Sequence, residues 1–286
     1  MGSSFPVSRV LLDMGAQPLP LVALRFFIAA VIAILITRWF FPVTKHFATP
    51  AMVLTAVIVG VFQTGGVMSL IFIAMQTVDP AIVAAILFSN VLLVAAIDAA
   101  SGKRRWNLLL IASLLLGIGG LALVTGAAHA IFATSRQTNS HFGEWLCVGA
   151  TCCWACATLI SKRVKPGDPW RFNNVQMMSG SIAVAATAWA QGDQLWIPMD
   201  LVTWSWFLWL VIPASIGSFG LWFSALQQRS ASETSAWLFL VPVFAAVIAW
   251  PVIGTMPSLT QTLGAALIGI ALFLQGQKSR PSDKPE

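Results

Sequence analysis

Residues 70–97 read LIFIAMQTVDPAIVAAILFSNVLLVAAI, and a related stretch, LWFSALQQRSASETSAWLFLVPVFAAVI, occupies residues 221–248. Aligned without gaps, so that position 70 meets position 221, the two stretches share nine identities. The identical pairs are Leu70/Leu221, Phe72/Phe223, Ala74/Ala225, Gln76/Gln227, Ala85/Ala236, Leu87/Leu238, Phe88/Phe239, Ala95/Ala246 and Ile97/Ile248. In both copies a polar break after the shared Gln separates two apolar runs, which indicates an internal repeat.

The composition predicts an integral membrane protein. Of 286 residues, 58% are hydrophobic and only 9% are charged, whereas soluble domains carry about 25% charged residues. Apolar runs reach the roughly 20 residues that a helix needs to cross a bilayer, and the alternation of membrane β-strands is absent. The net charge of +6 comes from short loops between apolar segments, so we expect no nucleic-acid partner.

The four cysteines fall close together, at Cys147, Cys152, Cys153 and Cys156, with Glu144 as the one nearby carboxylate. Metal sites of cysteine usually draw on loop-separated CxxC pairs. We therefore interpret these residues as small buried helix-packing residues and expect no metal and no cofactor.

Ten apolar segments can be drawn between clusters of turn-forming or charged residues. They are 1–12, 19–36, 50–75, 80–100, 106–125, 143–160, 172–190, 204–226, 235–253 and 259–274. The first is too short to span a bilayer before Asp13, so we expect a first helix truncated at the N-terminus, with about 10–20 further residues upstream. A cleaved signal peptide is the alternative, although no basic region precedes the apolar run.

The loop charges predict the orientation. Thirteen Lys and Arg residues lie in the loops on one side, against Arg136 alone on the other. The thirteen are Arg38, Lys45, Lys103, Arg104, Arg105, Lys162, Arg163, Lys165, Arg171, Arg229, Lys278, Arg280 and Lys284. Basic loops stay in the cytoplasm, so both termini are expected there, in a multi-pass protein of the cell (inner) membrane.

Five crossings in each half is an odd number, so the second half must enter the membrane from the opposite side. The expected fold is all-α, with ten transmembrane helices in two inverted five-helix repeats. We place the first repeat at 1–126, an extracytoplasmic linker at 127–141, the second repeat at 142–277 and a cytoplasmic tail at 278–286. Many secondary transporters have inverted repeats, bind substrate near the bilayer midplane and alternate access as the halves rock.

Several stretches resemble the EamA-type family of the drug/metabolite transporter superfamily. These stretches are GSSFPVSR at 2–9, PLPLVALRFFIAA at 18–30, DPAIVAAILFSNVLLVAAI at 79–97, WACATLISKR at 154–163 and SETSAWLFLVPVFAAVIA at 232–249. The resemblance implies a ten-helix inverted repeat with both termini inside and the export of amino acids, related metabolites or drugs. Met1 stands where the family usually has a Trp, Val91 where a Pro is common, and the end of the ninth helix lacks the acidic residue that Asp98 supplies in the fourth.

Charged side chains inside a bilayer are costly and point to function. Arg25 lies about seven residues from the outer end of its helix. It can pair with a substrate carboxylate, bind a backbone carbonyl at a helix break, or extend its head towards the interface. The last is expected for Arg9, which lies nearer the edge. Asp98 and Glu233, near the cytoplasmic ends of their helices, are expected to be solvated.

Uncharged polar and aromatic residues at mid-membrane are the other candidates for a substrate site. Gln63 and Asn90 carry whole amides, and Ser218 carries a hydroxyl that can alternatively bond its own helix. Trp154, Trp222, Trp237 and Phe5 are expected to form an aromatic wall that stacks on flat or cationic substrates or to pack in the core. A polar side at Asn90 facing an aromatic side at Trp237 suits an amphipathic small molecule.

The sequence thus predicts a secondary transporter that exports small metabolites, with a small-molecule substrate and membrane lipid as partners, acting as a monomer or homodimer. An intramembrane enzyme is the first alternative, but no mid-membrane His or carboxylate is available to act as a base. A membrane accessory protein that transports nothing is the second alternative.

Overall fold

The structure is a computed structural model that describes residues 2–40, 49–75, 77–78, 80–101, 108–126, 142–164, 168–194, 200–254 and 256–276. Every regular element in these ranges is helical. The first half contains α1 (Ser4–Asp13), α2 (Pro18–Phe40), α3 (Pro50–Gly60), α4 (Val67–Ala74), α5 (Pro80–Phe88), α6 (Asn90–Ala100) and α7 (Leu108–Thr125). The second contains α8 (Phe142–Val164), α9 (Pro169–Ala190), α10 (Leu201–Val211), α11 (Ser218–Gln228), α12 (Ala231–Ala236), α13 (Leu240–Ile253) and α14 (Leu259–Gly276).

Three of these helices are joined to the next by turns of other helical types, so that each pair continues as one rod. A π-helical turn, Val61–Gly66, joins α3 to α4, and a second, Ile212–Gly217, joins α10 to α11. A 3₁₀ turn, Trp237–Phe239, joins α12 to α13. Pro213 lies in the second π turn, where proline has no N–H to continue the i→i−4 pattern, but the first π turn forms at the equivalent positions without a proline.

The element bounds repeat at the same offset that aligns the two sequence stretches. The α3 helix and its π turn match α10 and its π turn residue for residue, and α7 matches α14. The range of α5 corresponds to α12 together with the 3₁₀ turn, and α1 to the C-terminal part of α8. Both halves therefore place their helix breaks at equivalent positions.

Six of the described helical rods are long and apolar enough to cross a membrane. They are Pro18–Trp39, Pro50–Ala74, Leu108–Thr125, Phe142–Lys162, Leu201–Gln228 and Ala231–Val252. Two shorter apolar helices are Val83–Asp98 and Leu259–Leu274. This confirms a helical, multi-pass membrane protein.

Local sequence explains where several helices begin and end. Asp168 accepts hydrogen bonds from the N–H groups of Trp170 and Arg171 at the start of α9, and Asp200 accepts one from Thr203 at the start of α10. Such caps satisfy N–H groups that have no partner within the helix. The α13 helix ends at Gly254, whose φ of 74° is left-handed and favours glycine.

Close helix packing relies on glycines that face backbone. The α7 and α14 helices cross where a Cβ at Gly120 would lie 2.7 Å from the carbonyl oxygen of Gly264. The α9 helix approaches α3 in the same way, since a Cβ at Gly180 would lie 2.7 Å from the carbonyl oxygen of Gly60. Small residues let membrane helices pack backbone to backbone.

The contacts between the halves are reciprocal. The α1 helix packs against α10 and α13, and α8 packs against their equivalents α3 and α6. The α2 helix packs on its equivalent α9, and α7 on its equivalent α14. Each half therefore makes the same set of helix contacts with the other half.

The cysteines differ in part from their predicted role as buried packing residues. Cys147 is buried and Cys153 half-buried, but Cys152 and Cys156 are exposed. A single apolar helix gives little sign of which face its small residues occupy, because lipid and protein are both apolar. No group of three or more metal-binding side chains occurs within the described ranges.

Candidate substrate cavity

A cavity of about 610 Å³ lies between the two halves, within the range of about 300–1,000 Å³ typical of small-molecule sites. Its lining comes from α1, α2, α4, α5, α8, α11 and α13, from the first π turn and from the segment after α9. Most of the lining side chains are apolar. The full set is Ser4, Ser8, Arg9, Leu12, Pro18, Leu19, Val22, Arg25, Phe26, Gln63, Val67, Met68, Ile71, Phe72, Met75, Val83, Ala84, Leu87, Phe88, Trp154, Gln191, Asp193, Phe219 and Val241.

One end of the cavity is its mouth. Arg9, Pro18 and Gln191 line this end and are exposed. They lie at the end of α1, the start of α2 and just after α9. Arg9 pairs with Asp13 at 3.0 Å, with both side chains more than half exposed. This exposed position agrees with the prediction for Arg9.

The other end of the cavity is its floor, where the lining side chains are buried. Arg25 is 6% exposed, Gln63 2% and Trp154 8%. These three predicted site residues come from α2, the first π turn and α8, and all line the same cavity.

Arg25 binds the second π turn. Its Nε donates to Ser215 Oγ at 2.7 Å, and its Nη2 donates to the carbonyl oxygen of Ala214 at 3.0 Å and to Ser4 Oγ at 3.1 Å. The guanidinium also lies 4.9 Å from the ring centroid of Phe26. Of the three roles that the sequence left open for Arg25, the structure shows the one at a helix break.

The equivalent contact in the other half has no charge. Gln176 is the repeat equivalent of Arg25, and its Nε2 donates to Thr64 Oγ1 in the first π turn at 2.5 Å. Thr64 in turn is the repeat equivalent of Ser215. Each half therefore ties its second membrane segment to the π turn of the other half, once through Arg and once through Gln.

The floor holds polar atoms without partners. Neither the amide oxygen nor the amide nitrogen of Gln63, nor Trp154 Nε1, has a hydrogen-bond partner among the described residues. The Trp154 ring packs against Phe88 with centroids 6.0 Å apart. Buried polar groups are rarely left unpaired, so a rotation that brought these atoms to the cavity surface would offer a ligand hydrogen bonds that no described residue uses.

The remaining predicted site residues lie outside this lining. Asn90 is fully buried and Trp222 is 7% exposed, and the polar atoms of both side chains lack described partners. Ser218 donates to the carbonyl oxygen of Ala214 at 2.6 Å, which is the alternative predicted for it, a hydrogen bond within its own helical rod. Trp237 is 53% exposed and contributes nothing to the cavity wall. Phe5 belongs to α1, but its side chain lies outside the described part of the chain.

At the end of the molecule opposite the mouth, Asp98 joins the two halves. The helices run so that α6, α8 and α11 all finish at this end. Asp98, at the end of α6, is 4% exposed and accepts a hydrogen bond from the backbone N–H of Ser232 at 3.0 Å. The expectation that Asp98 is solvated was wrong, because a segment 134 residues away covers the carboxylate.

Glu233 lies beside this contact. Its carboxylate accepts from the N–H of Ser230, while Ser230 Oγ accepts from the N–H of Glu233, a capping box at the start of α12. Glu233 is half-buried. It therefore stabilises the start of α12 and is not fully solvated as predicted.

Lys162, near the end of α8, binds the segment that joins α11 to α12. Its Nζ donates to the carbonyl oxygen of Leu226 at 2.7 Å and also to that of Arg229. These carbonyls belong to the end of α11 and the residue after it, where a cation is favoured by the helix dipole. Asp98 and Lys162 together fix residues 226–232, and we call this set of contacts the latch.

Sequence reasoning missed the latch and the role of Ser4. From the sequence, Lys162 is counted only among the basic residues that indicate topology. Its position at the end of an apolar segment could also have suggested a contact with a neighbouring helix end. The pairing of Arg25 with Ser215 could have been found from the repeat, since Gln176 and Thr64 occupy the equivalent positions.

Comparisons with known proteins agree with this architecture. The model of the EamA-like transporter family matches residues 1–126 and 141–276. The uncharacterized transporter YoaV of Bacillus subtilis is 24% identical over 263 residues, which cover 90% of this chain and 86% of YoaV. A second uncharacterized transporter of the same organism, YyaM, is 22% identical over 214 residues, covering 74% of this chain and 69% of YyaM.

The fold also matches a solved structure. A protein of known crystal structure superposes with a TM-score of 0.79 at 16% identity, over 98% of this chain and 96% of that one. At this identity the similarity shows the fold alone. The family match covers nearly all of the sequence, and the named relatives are transporters. The chain therefore belongs to the EamA-like transporter family and is a multi-pass membrane transporter, not an enzyme.

Proposed function

We propose that the protein is a secondary transporter of the cell (inner) membrane that exports small metabolites, namely amino acids, related compounds or drugs, by alternating access. The observation that carries the proposal is a cavity with a solvent-exposed mouth at one end and the latch at the other. An alternating-access transporter needs such an asymmetry, because its site must never open to both sides together.

The repeat supports ten crossings in two inverted halves. The matched element bounds and the reciprocal contacts support two equivalent units, as expected for halves related by a pseudo-two-fold axis. With five crossings in each, the units have opposite orientations in the membrane. The basic loops then place the latch in the cytoplasm and the mouth outside, so this conformation is the outward-facing one.

Arg25, Gln63 and Trp154 are the proposed substrate contacts at the floor. They combine one charge, one amide and one indole N–H with apolar walls from Phe26, Phe88 and Phe219. Such a mixture of a few polar groups in an apolar pocket fixes the orientation of a small ligand.

Asn90 is proposed to join the site in the inward-facing conformation. Its repeat equivalent is Val241, which lines the cavity in the present conformation. When the two halves exchange roles, the position of Asn90 becomes the one that faces the cavity. The unpartnered amide of Asn90 is then available to substrate.

Flux in everted membrane vesicles tests the proposed function. Vesicles containing the protein and matched vesicles lacking it are given radiolabelled amino acids, aromatic carboxylates and cationic drugs in turn. We expect protein-dependent accumulation of at least one class, saturable in the micromolar to millimolar range. Absence of protein-dependent flux for every class would overturn the proposal and favour an accessory role.

A further inference from the structure

The charge of Arg25 has no counter-ion at the cavity floor. Its partners are two hydroxyls and one backbone carbonyl, and no carboxylate among the described residues pairs with it. We propose that the transported substrates are organic anions, each with a single carboxylate on an apolar body and without an ammonium group. This inference rests on the proposed function and narrows its substrate class to organic anions, leaving out zwitterionic amino acids and cationic drugs.

The architecture does not require a charge at this position. Gln176 makes the equivalent contact to the π turn of the other half with a neutral amide. It is fully buried and does not line the cavity. Since a Gln side chain suffices to tie the second segment of one half to the π turn of the other, the positive charge of Arg25 is explained by what enters the cavity.

The guanidinium keeps donors for a ligand. Its contacts use Nε and Nη2, and no contact with a described residue uses Nη1. Gln63 Nε2 and Trp154 Nε1 are two more unpartnered N–H donors, buried directly behind the floor, which a rotation of either side chain would bring to the cavity surface. A carboxylate accepts hydrogen bonds and donates none, so it matches a floor that presents unused donors around one positive charge.

The same cavity is unsuited to a cation or a zwitterion. Among the described lining residues Asp193 is the one carboxylate, and it lies just after α9 at the mouth. At the floor an ammonium group would find the neutral oxygens of Gln63 and Ser4 and aromatic faces but no described carboxylate, while Arg25 would repel it. A desolvated charge without an opposite charge is strongly unfavourable, and one guanidinium is too little to offset a multiply charged phosphate.

The test compares four ligands of one shape that differ in charge. These probes are 3-phenylpropanoate, 3-phenylpropanamide, 3-phenylpropylamine and phenylalanine, each titrated at pH 7.5 against the full chain in lipid nanodiscs by calorimetry and thermal stabilisation. We expect the carboxylate to bind about 10-fold or more tightly than the amide, and the amine and phenylalanine to bind more weakly still.

Variants connect this preference to Arg25. Arg25→Gln copies the neutral contact of the other half and should fold, lose at least about 10-fold in affinity for the carboxylate and no longer distinguish it from the amide. Arg25→Lys should keep the preference, because the charge remains. The matched control is Arg38→Gln, which removes an exposed charge from the other end of α2 and should bind like the parent protein.

Two results would overturn the inference. One is that phenylalanine or the amine binds as tightly as the carboxylate, or that none of the four probes binds. The other is that Arg25→Gln, still folded, retains the preference for the carboxylate. If vesicle flux is then observed with zwitterionic or cationic compounds, the proposed transport function holds and only the substrate class is wrong. If Arg25→Gln does not fold, the ligand series on the parent protein and on Arg25→Lys decides alone.

Discussion

Breaking the latch at Asp98 should favour the conformation in which the cavity opens at the latch end. The carboxylate of Asp98 is buried and accepts the N–H of Ser232 at 3.0 Å. A hydrogen bond to a charged group contributes about 1.5–3 kcal/mol. If this contact exists only in the present conformation, Asp98→Ala shifts the equilibrium towards the opposite-facing state by about 10- to 100-fold.

Cysteine accessibility measures that shift. An Asn90→Cys reporter, at the buried position that faces the cavity once the halves exchange roles, is labelled with a membrane-impermeant maleimide applied from the latch side, in a protein whose four native cysteines are replaced by Ala. We expect Asp98→Ala to speed labelling by about 10-fold or more, and Asp98→Asn, which keeps an acceptor, to give a smaller increase.

The matched control for this prediction is Asp13→Ala. It removes a carboxylate whose ion pair with Arg9 is exposed at the mouth, so labelling from the latch side should not change. The reasoning fails if Asp98→Ala folds with an unchanged melting temperature and is labelled no faster than the parent. It also fails if Asp13→Ala speeds labelling equally.

Three further predictions concern the cavity, the packing and the loops. Gln63→Leu removes a buried amide without partners, so it should raise the melting temperature by an amount equivalent to about 1 kcal/mol or more while reducing substrate affinity. Equal affinity in a binding titration would remove Gln63 from the site. Gly264→Val places a Cβ 2.6 Å from a carbonyl oxygen of α7 and should cost about 1–3 kcal/mol, whereas Gly269→Val, with nothing within 4 Å, should melt like the parent. Hydrogen bonds from Thr203 hold the pKa of Asp200 below its ordinary value, so the stability they add is present above that value and is lost as the pH falls through the lowered pKa. Thr203→Val should therefore make the melting temperature less dependent on pH below about pH 4, and an unchanged pH profile would contradict this.

The helices could be predicted from the sequence because membrane spans are marked by long apolar runs between charged or turn-forming loops. The predicted segment at 259–274 corresponds to α14 at Leu259–Gly276, and the offset between the two sequence stretches recurs in the helix bounds. Depth in the bilayer follows from distance along such a run. That is why the sequence alone could group Arg25, Gln63 and Trp154, and all three line the cavity.

The face of each helix could not be predicted. An apolar helix in lipid has no polar side to mark the surface, so the sequence places Trp237 near the substrate, although the structure leaves it more than half exposed outside the cavity. The prediction that Asp98 is solvated was wrong for a different reason. Its partner, Ser232, belongs to the other half, and no local pattern around the carboxylate indicates a contact over that distance.

The central claim is that substrate passes through the cavity between the two halves, and filling the cavity tests it most directly. Ala84 lines the cavity, and Ala186 is an exposed residue on α9 outside the lining. Flux of the best substrate from the vesicle panel is measured in proteoliposomes for Ala84→Trp and Ala186→Trp, with melting temperatures recorded for both. The account predicts that Ala84→Trp folds but transports nothing measurable, while Ala186→Trp transports at the parent rate. Normal transport by a folded Ala84→Trp protein would contradict the account.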